Sequence, residues 1–298
     1  MVSYDTRNWL ALLLRFRGTV LPRIATRVAI AGGFGVVASV LLDRGDANLA
    51  IPPSVHTLVG VALGLLLVFR TNASYDRFWE GRRLIGAIVN NSRDLARQTA
   101  SFLDQSSPAV RRTQGDLIVA LYATIRRYLR GEREWPELAT RLSAAQRAEL
   151  ATKACPPLLV ARWLSDGFVA EARAGRISEH RLIILDNALS DIVDCFSGCE
   201  RILRTPVPFA YAHHIKGFLT LFCFTVPMAL LASMGWFTGP ASAVVAYALF
   251  GIDEIGVEIE DPFGYDANDL PLDQIGDGIA TVVDETVAGA APSVDAAA

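Results

Sequence analysis

The 298-residue sequence predicts an all-α membrane protein with a large helical part outside the bilayer, and three observations carry that prediction. Hydrophobic residues make up 52% of the chain and the mean hydropathy is +0.32, yet 20% of residues are charged. Membrane and water-exposed parts must therefore share one chain. Four apolar runs approach the roughly 20 residues needed to cross a hydrocarbon core of about 30 Å, and no sustained polar/apolar alternation marks a strand.

Residues 1–25 form a basic leading segment that reaches its first apolar run only near Val28, with no small-residue cleavage site after it, so a removed leader is not expected. Residues 26–69 read as a transmembrane hairpin, with spans over Thr26 to Leu42 and Pro53 to Phe69 and a turn over Asp43 to Ile51. No proline interrupts Ser54 to Ser107, so the second helix has no reason to stop where lipid gives way to water. Gly60 and Gly64, four apart, suit close approach of another helix in lipid.

Residues 70–212 are helical by periodicity and punctuated at Ser106-Ser107-Pro108, Trp135-Pro136, Cys155-Pro156-Pro157 and Ala174-Gly175. Ser143 with Gln146 fits a capping box, and Ser178 is placed to cap the helix carrying Leu182, Leu185, Leu189 and Ile192. Two prolines in Thr205-Pro206-Val207-Pro208 impose an extended bend before the chain re-enters the membrane. Residues 213–252 form a second hairpin, with spans over Ile215 to Phe237 and Pro240 to Ile252 and a turn at Thr238 to Pro240. Residues 253–285 are an acidic, water-exposed segment, and the Ala, Gly and Ser tail at 286–298 is expected to be disordered.

Every Lys and Arg lies at or before Lys216, and twelve Asp and Glu follow it. Orientation depends on the basic residues: five Arg occur by Arg27, one in the Asp43 to Ile51 loop and none in the turn between the last two spans. Both termini and the central region are therefore expected on the cytoplasmic side. A nucleic-acid partner is not expected, because the arginines alternate with carboxylates in a chain of pI about 5.8. Cys155, Cys195, Cys199 and Cys223 form no CxxC pair and have no histidine at ligand spacing, so they read as small buried hydrophobes. No nucleophile and base pair or phosphate-binding glycine loop points to catalysis.

On the second span, Val61, Leu65 and Phe69 recur at i, i+4 and i+8. Around an axis such a stripe would be a hydrophobic constriction. Spacing alone fits core or lipid-facing packing better. Asp76, Glu80 and Arg83, with Arg93 and Arg97, read as a solvated, salt-bridged face, and Trp79 and Phe78 suit the membrane interface. His56, near the outer end of the span, is the histidine whose position best suits a pore mouth.

The run from Phe69 to Arg82, FRTNASYDRFWEGR, resembles the signature of prokaryotic bestrophins. Arg17-Gly18-Thr19-Val20-Leu21-Pro22, Cys199-Glu200-Arg201 followed by Thr205 to Tyr211, and Asp261-Pro262-Phe263-Gly264 agree with that family in order, so the resemblance covers about residues 15 to 273. It implies a bestrophin-like homopentameric ion channel with four transmembrane helices per subunit and a helical cytosolic part around an axial pore. On the same resemblance, Val61, Leu65 and Phe69 fall on the pore neck and Ile183 on a cytosolic aperture, with Leu182 and Ile184 one residue away. Phe78 stands where a tryptophan is usual, and Val61 and Leu65 are smaller than the neck residues common in animal members.

Animal bestrophins carry a calcium clasp after Pro-Phe-Gly, and the similar positions here are Asp261, Asp266 and Asp269. Asp266 and Asp269 are thus the metal-ligand candidates. Calcium usually takes six to eight oxygens, and Tyr265, Ala267 and Asn268 interrupt the acidic run, so turn hydrogen bonding is preferred and no cofactor is expected. The expectation is a multi-pass protein of a bacterial inner membrane, in contact with lipid, passing small monovalent ions, chloride-like anions rather than cations. Sodium or potassium conduction by the same fold and a non-conducting membrane scaffold are the alternatives.

Overall fold

The computed structural model describes residues 7–16, 18–43 and 51–288. Its regular elements are ten α-helices: α1 (Trp9–Leu13), α2 (Leu21–Asp43), α3 (Pro53–Phe102), α4 (Pro108–Leu129), α5 (Ala144–Thr152), α6 (Pro156–Arg173), α7 (Glu179–Arg204), α8 (Phe209–Met234), α9 (Thr238–Glu258) and α10 (Leu272–Ala288). No strand occurs among the described residues. Among the described residues, three stretches are long and apolar enough to cross a membrane: Leu21–Leu41, Pro53–Phe102, and Phe209–Glu258, the last containing both α8 and α9.

The local signals act as their chemistry requires. Ser143 Oγ accepts from Gln146 N at 3.2 Å while Gln146 Oε1 accepts from Ser143 N at 3.0 Å, closing the capping box of α5. Ser107 caps α4 and Ser178 caps α7, each accepting from the backbone N–H three residues on. Helix α3 continues for 50 residues, about 75 Å at 1.5 Å per residue. The turn between α8 and α9 differs from its expected place. It is a 3-10 turn at Gly235–Phe237, begun by Gly235 at φ +49°, and Thr238 to Pro240 are already helical. Proline is tolerated in a first turn, where its missing N–H would be unpaired in any case, whereas the left-handed glycine stops α8.

The chain divides into two compact units. The first comprises residues 1–79, 206–262 and 266–269. Its core joins Ile24 and Ala31 of α2, Leu63 and Leu67 of α3, Ile215, Leu219 and Phe222 of α8, and Ala246 and Phe250 of α9. Helix α2 packs most extensively on α9 and next on α8. The reason is steric: a Cβ on Gly35 would stand 2.9 Å from Gly239 Cα, and one on Gly239 would stand 2.5 Å from Val36 Cγ2. The expected close approach is made inside the protomer at Gly60, where a Cβ would stand 3.2 Å from Phe222 Cζ of α8, but not at Gly64. Nothing lies within 4 Å of a Cβ at Gly64.

The second unit comprises residues 80–205, 263–265 and 270–298. Helix α4 is its centre, buried almost continuously from Leu117 to Leu129 and packed on α6, α7 and α10. Arginines tie its periphery: Arg141 reaches Asp116 at 2.8 Å and Asp284 at 2.7 Å, and Arg130 reaches Asp273 at 2.9 Å. Helix α10 was not anticipated as a helix, and it shortens the expected disordered tail. Ile279, Val283 and Val287, at i, i+4 and i+8, are all buried, and Val287 packs over Gly115. The remaining tail, 289–298, and the expected Asp43 to Ile51 turn from Arg44 to Ala50 lie outside the described residues.

Candidate functional site

Helix α3 has two faces. From Leu63 the buried positions are Leu67, Arg70, Ser74, Gly81, Ile85, Ile88, Ser92, Leu95, Ala96 and Thr99, mostly at steps of three, four or seven that keep one side inward along the helix. Opposite them stand Val61, Leu65 and Phe69, which are 68%, 55% and 58% exposed, whereas Leu63 and Leu67 are 0% and 2% exposed. The three candidate neck residues are therefore not part of the protomer's own core. Leu58, Val68, Tyr75 and Trp79 are also exposed, extending an apolar surface at both ends of the stripe.

The inward face of the same segment carries a charge. Arg70, 2% exposed, donates to Asp253 Oδ1 at 2.5 Å, and Asp253 is 3% exposed. Glu260 lies 3.7 Å from the same guanidinium and accepts the Val207 N–H at 3.0 Å, while Arg77 Nε donates to the Glu260 carbonyl at 3.3 Å. The network joins the residue after Phe69 to the end of α9 and to the double-proline bend. The charges flanking it behave as a solvated face would: Arg97 pairs with Asp94 at 3.3 Å, and Glu80 with Arg201 at 2.6 Å.

Ile183 lies in the second turn of α7 and is 57% exposed, while Leu182 and Ile184 are half-buried. Of the three aperture candidates only Ile183 faces fully outward. His56 does not stand free on the exposed face: it is half-buried, shares a 3.0 Å hydrogen bond with Thr225 Oγ1 and packs on Phe222 at 5.2 Å. Cys199 is buried in α7, where burial pushes its thiol up to about 12 and keeps it protonated and unreactive.

Asp266 and Asp269 come together, but as parts of a closed turn. The Asp266 N–H donates to Asp269 Oδ2 at 2.7 Å, and the Asp266 carboxylate takes both arms of the Arg23 guanidinium, at 2.5 and 3.4 Å. Arg23 also lies 3.8 Å from Glu258, which accepts from Asn268 Nδ2 at 2.9 Å. Asp269 is 3% exposed and its Oδ1 has no partner; burial, with Asp266, Asp261 and Glu258 nearby, raises its carboxyl to about 6. A guanidinium already occupies the Asp266 oxygens, and no group of three His, Cys, Asp or Glu among the described residues is placed to hold a metal. The contact was not legible in the sequence because Arg23 and Asp266 are 243 positions apart.

Comparison with known proteins agrees with this arrangement over nearly the full length. The family model described as Bacterial/Fungal Bestrophin protein matches residues 1–285. A voltage-dependent anion channel-forming protein of Nostoc sp. is 40% identical over 282 residues, covering 94% of this chain and 92% of that protein. A protein of the same description from Synechocystis sp. is 38% identical, covering 92% and 90%. Among solved structures, a bacterial bestrophin homolog from Klebsiella pneumoniae superposes with a TM-score of 0.82 at 26% identity, covering 91% of this chain and 99% of that one. With its all-helical fold, its membrane-length apolar helices and its sequence matched over residues 1–285, the chain belongs to the bestrophin family.

Proposed function

We propose that the chain is one subunit of a passive anion channel, in which copies arranged around an axis line a pore with the exposed stripe of α3. The carrying observation is the division of that helix: Leu63 and Leu67 are sealed in the protomer core while Val61, Leu65 and Phe69 stand outside it on the opposite side. Three turns of apolar side chains around an axis form a neck that gates by dewetting, since a narrow apolar passage holds water and hydrated ions poorly. Five copies make the ring, each contributing four membrane-crossing helices, α2, α3, α8 and α9, and Ile183 forms a second, cytosolic constriction. The protein sits in a bacterial inner membrane with its termini in the cytoplasm.

The neck is uncharged and selects no sign of ion by itself. The anion reading draws on the relatives named as anion channel-forming proteins, and chloride is the expected permeant ion. Because Arg23 fills the acidic turn, opening is independent of calcium. The test is reconstitution in planar bilayers under a potassium chloride gradient. A reversal potential near that of chloride supports the reading, and one near that of potassium overturns it in favour of a cation channel. Replacing Val61, Leu65 and Phe69 together with Ala should raise the steady current; an unchanged current would remove the neck from this stripe. No current under any condition would leave a membrane scaffold.

A further inference from the structure

A groove of about 420 Å³ lies in the second unit, between the loop after α4 and one face of α5. Its size is within the range of small-molecule sites. The concavity follows from the sequence: Ala144 and Ala148, one turn apart on α5, present almost no side chain, and Trp135, 5% exposed, walls the other side. The Ser143 capping box holds the helix that supplies the floor.

The polar groups of this groove are incomplete in one direction only. Trp135 Nε1 and Arg147 Nε are buried without a hydrogen-bond partner, and both are obligate donors. No carboxylate among the described residues pairs with Arg147. Arg133 spends its guanidinium on neutral oxygens, donating to the carbonyls of Lys153 at 3.1 Å and Ala154 at 3.3 Å, and it packs on the Tyr128 ring at 5.5 Å. Against these two arginines the lining offers one carboxylate, the exposed Glu134. The groove therefore has one positive charge in excess and a small-residue apolar floor.

We propose that this groove binds a small monocarboxylate with an apolar body, its carboxylate on Arg147 beside Trp135 and its hydrocarbon part over Ala144 and Ala148. A single excess charge and a largely apolar lining suit a monoanion better than a phosphate dianion. The proposal is independent of which ion the protein conducts.

The test is calorimetric titration of the full-length protein in lipid nanodiscs with 3-phenylpropionate, 3-phenylpropanol and inorganic phosphate. Saturable binding of the carboxylate is expected, with the alcohol and phosphate at least about tenfold weaker, as loss of one charge-assisted hydrogen bond implies. Arg147→Gln should weaken carboxylate binding by at least about tenfold and Arg147→Lys by less, while Ala148→Trp, which fills the floor and leaves the charges in place, should abolish it. Thermal midpoints of the three variants, compared with the parent, report whether they fold. Absence of saturable binding to the parent overturns the proposal, as does native affinity in folded Arg147→Gln or Ala148→Trp protein. Phosphate binding as tight as that of the carboxylate overturns the monocarboxylate assignment.

Discussion

Where α2 meets α9, backbone meets backbone at Gly35 and Gly239; where α4 meets α10, Gly115 and Gly276 receive the side chains of Val287 and Tyr122, and arginines reaching carboxylates rim the contact. In the first unit, Gly35 and Gly239 bring backbones together, and apolar contact does most of the work, with one deeply buried ion pair, Arg70–Asp253, inside it. In the second, Arg126 and Arg130 share Asp273, Arg141 spans Asp116 and Asp284, and Arg127 joins Glu132 to Glu137. The difference follows from the surroundings. In lipid, apolar side chains gain little by leaving one apolar medium for another, so close packing and rare strong polar contacts discriminate among arrangements. In water, caps, bridges and apolar burial share the task.

The sharpest way to break this contrast is to remove one partner of the buried pair. Asp253→Ala should destabilise the protein by about 3–5 kcal/mol, because it leaves the Arg70 charge buried and uncompensated, whereas Arg70→Met with Asp253→Leu should recover most of that loss. Thermal unfolding in nanodiscs measures both. A mild effect of Asp253→Ala would mean that the pair is hydrated rather than sealed.

Acid should act on the two units with opposite sign. The Asp269 carboxyl is raised to about 6 in the folded chain, above its ordinary value of 3.8, so folding favours its protonated form. The first unit then gains stability as pH falls from about 6 toward 4, by no more than about 3 kcal/mol. In the second unit, Arg176 and Ser106 hold Glu171 low, and Arg141 holds Asp284 low. Their contributions are present above the ordinary carboxylate range and are lost as pH falls below about 4.5 and through the depressed folded values. Hydrogen exchange followed separately in α9 and α10 across pH 7 to 3, corrected for intrinsic exchange, should diverge accordingly. Asp269→Asn should flatten the first response and leave the second.

A smaller pair of substitutions isolates the packing. Gly35→Ala puts a methyl against Gly239 Cα and the Thr238 carbonyl, backbone that cannot turn aside, and should cost about 1–3 kcal/mol. In the second unit, Gly198→Ala meets only the tips of Leu84, at 2.9 and 3.0 Å, which can rotate away, and should cost less than about 1 kcal/mol. Unfolding midpoints of the two variants compare them directly; equal losses would mean that Leu84 is as fixed as a backbone. Ser143→Ala should cost about 1 kcal/mol from loss of the cap, read as faster exchange confined to the first turn of α5.

What the sequence made legible follows the range of each interaction. The unbroken α3, the caps at Ser143 and Ser178 and the proline bend before α8 depend on neighbours within four residues, and each forms where the residues indicate. The stripe of Val61, Leu65 and Phe69 was visible as a period, but its outward direction was not, since that depends on what Leu63 and Leu67 meet in α2, α8 and α9. Arg70 and Asp253 are 183 positions apart, and no local pattern pairs them. Helix α10 was missed although Ile279, Val283 and Val287 carry a helical period, because small residues around them resemble a linker. Gly32-Gly33-Phe34-Gly35 is the local sign of the α2–α9 contact.

The outward stripe of α3 has a consequence for biogenesis. In a single subunit inserted in a bilayer, acyl chains would wet Val61, Leu65 and Phe69 as readily as they wet any other apolar side chain. As subunits gather in the proposed ring, those lipids must leave, and the surface passes from hydrocarbon into a narrow, intermittently hydrated passage. The step that creates the gate is then the expulsion of lipid from the closing ring, and an acyl chain left behind would plug it.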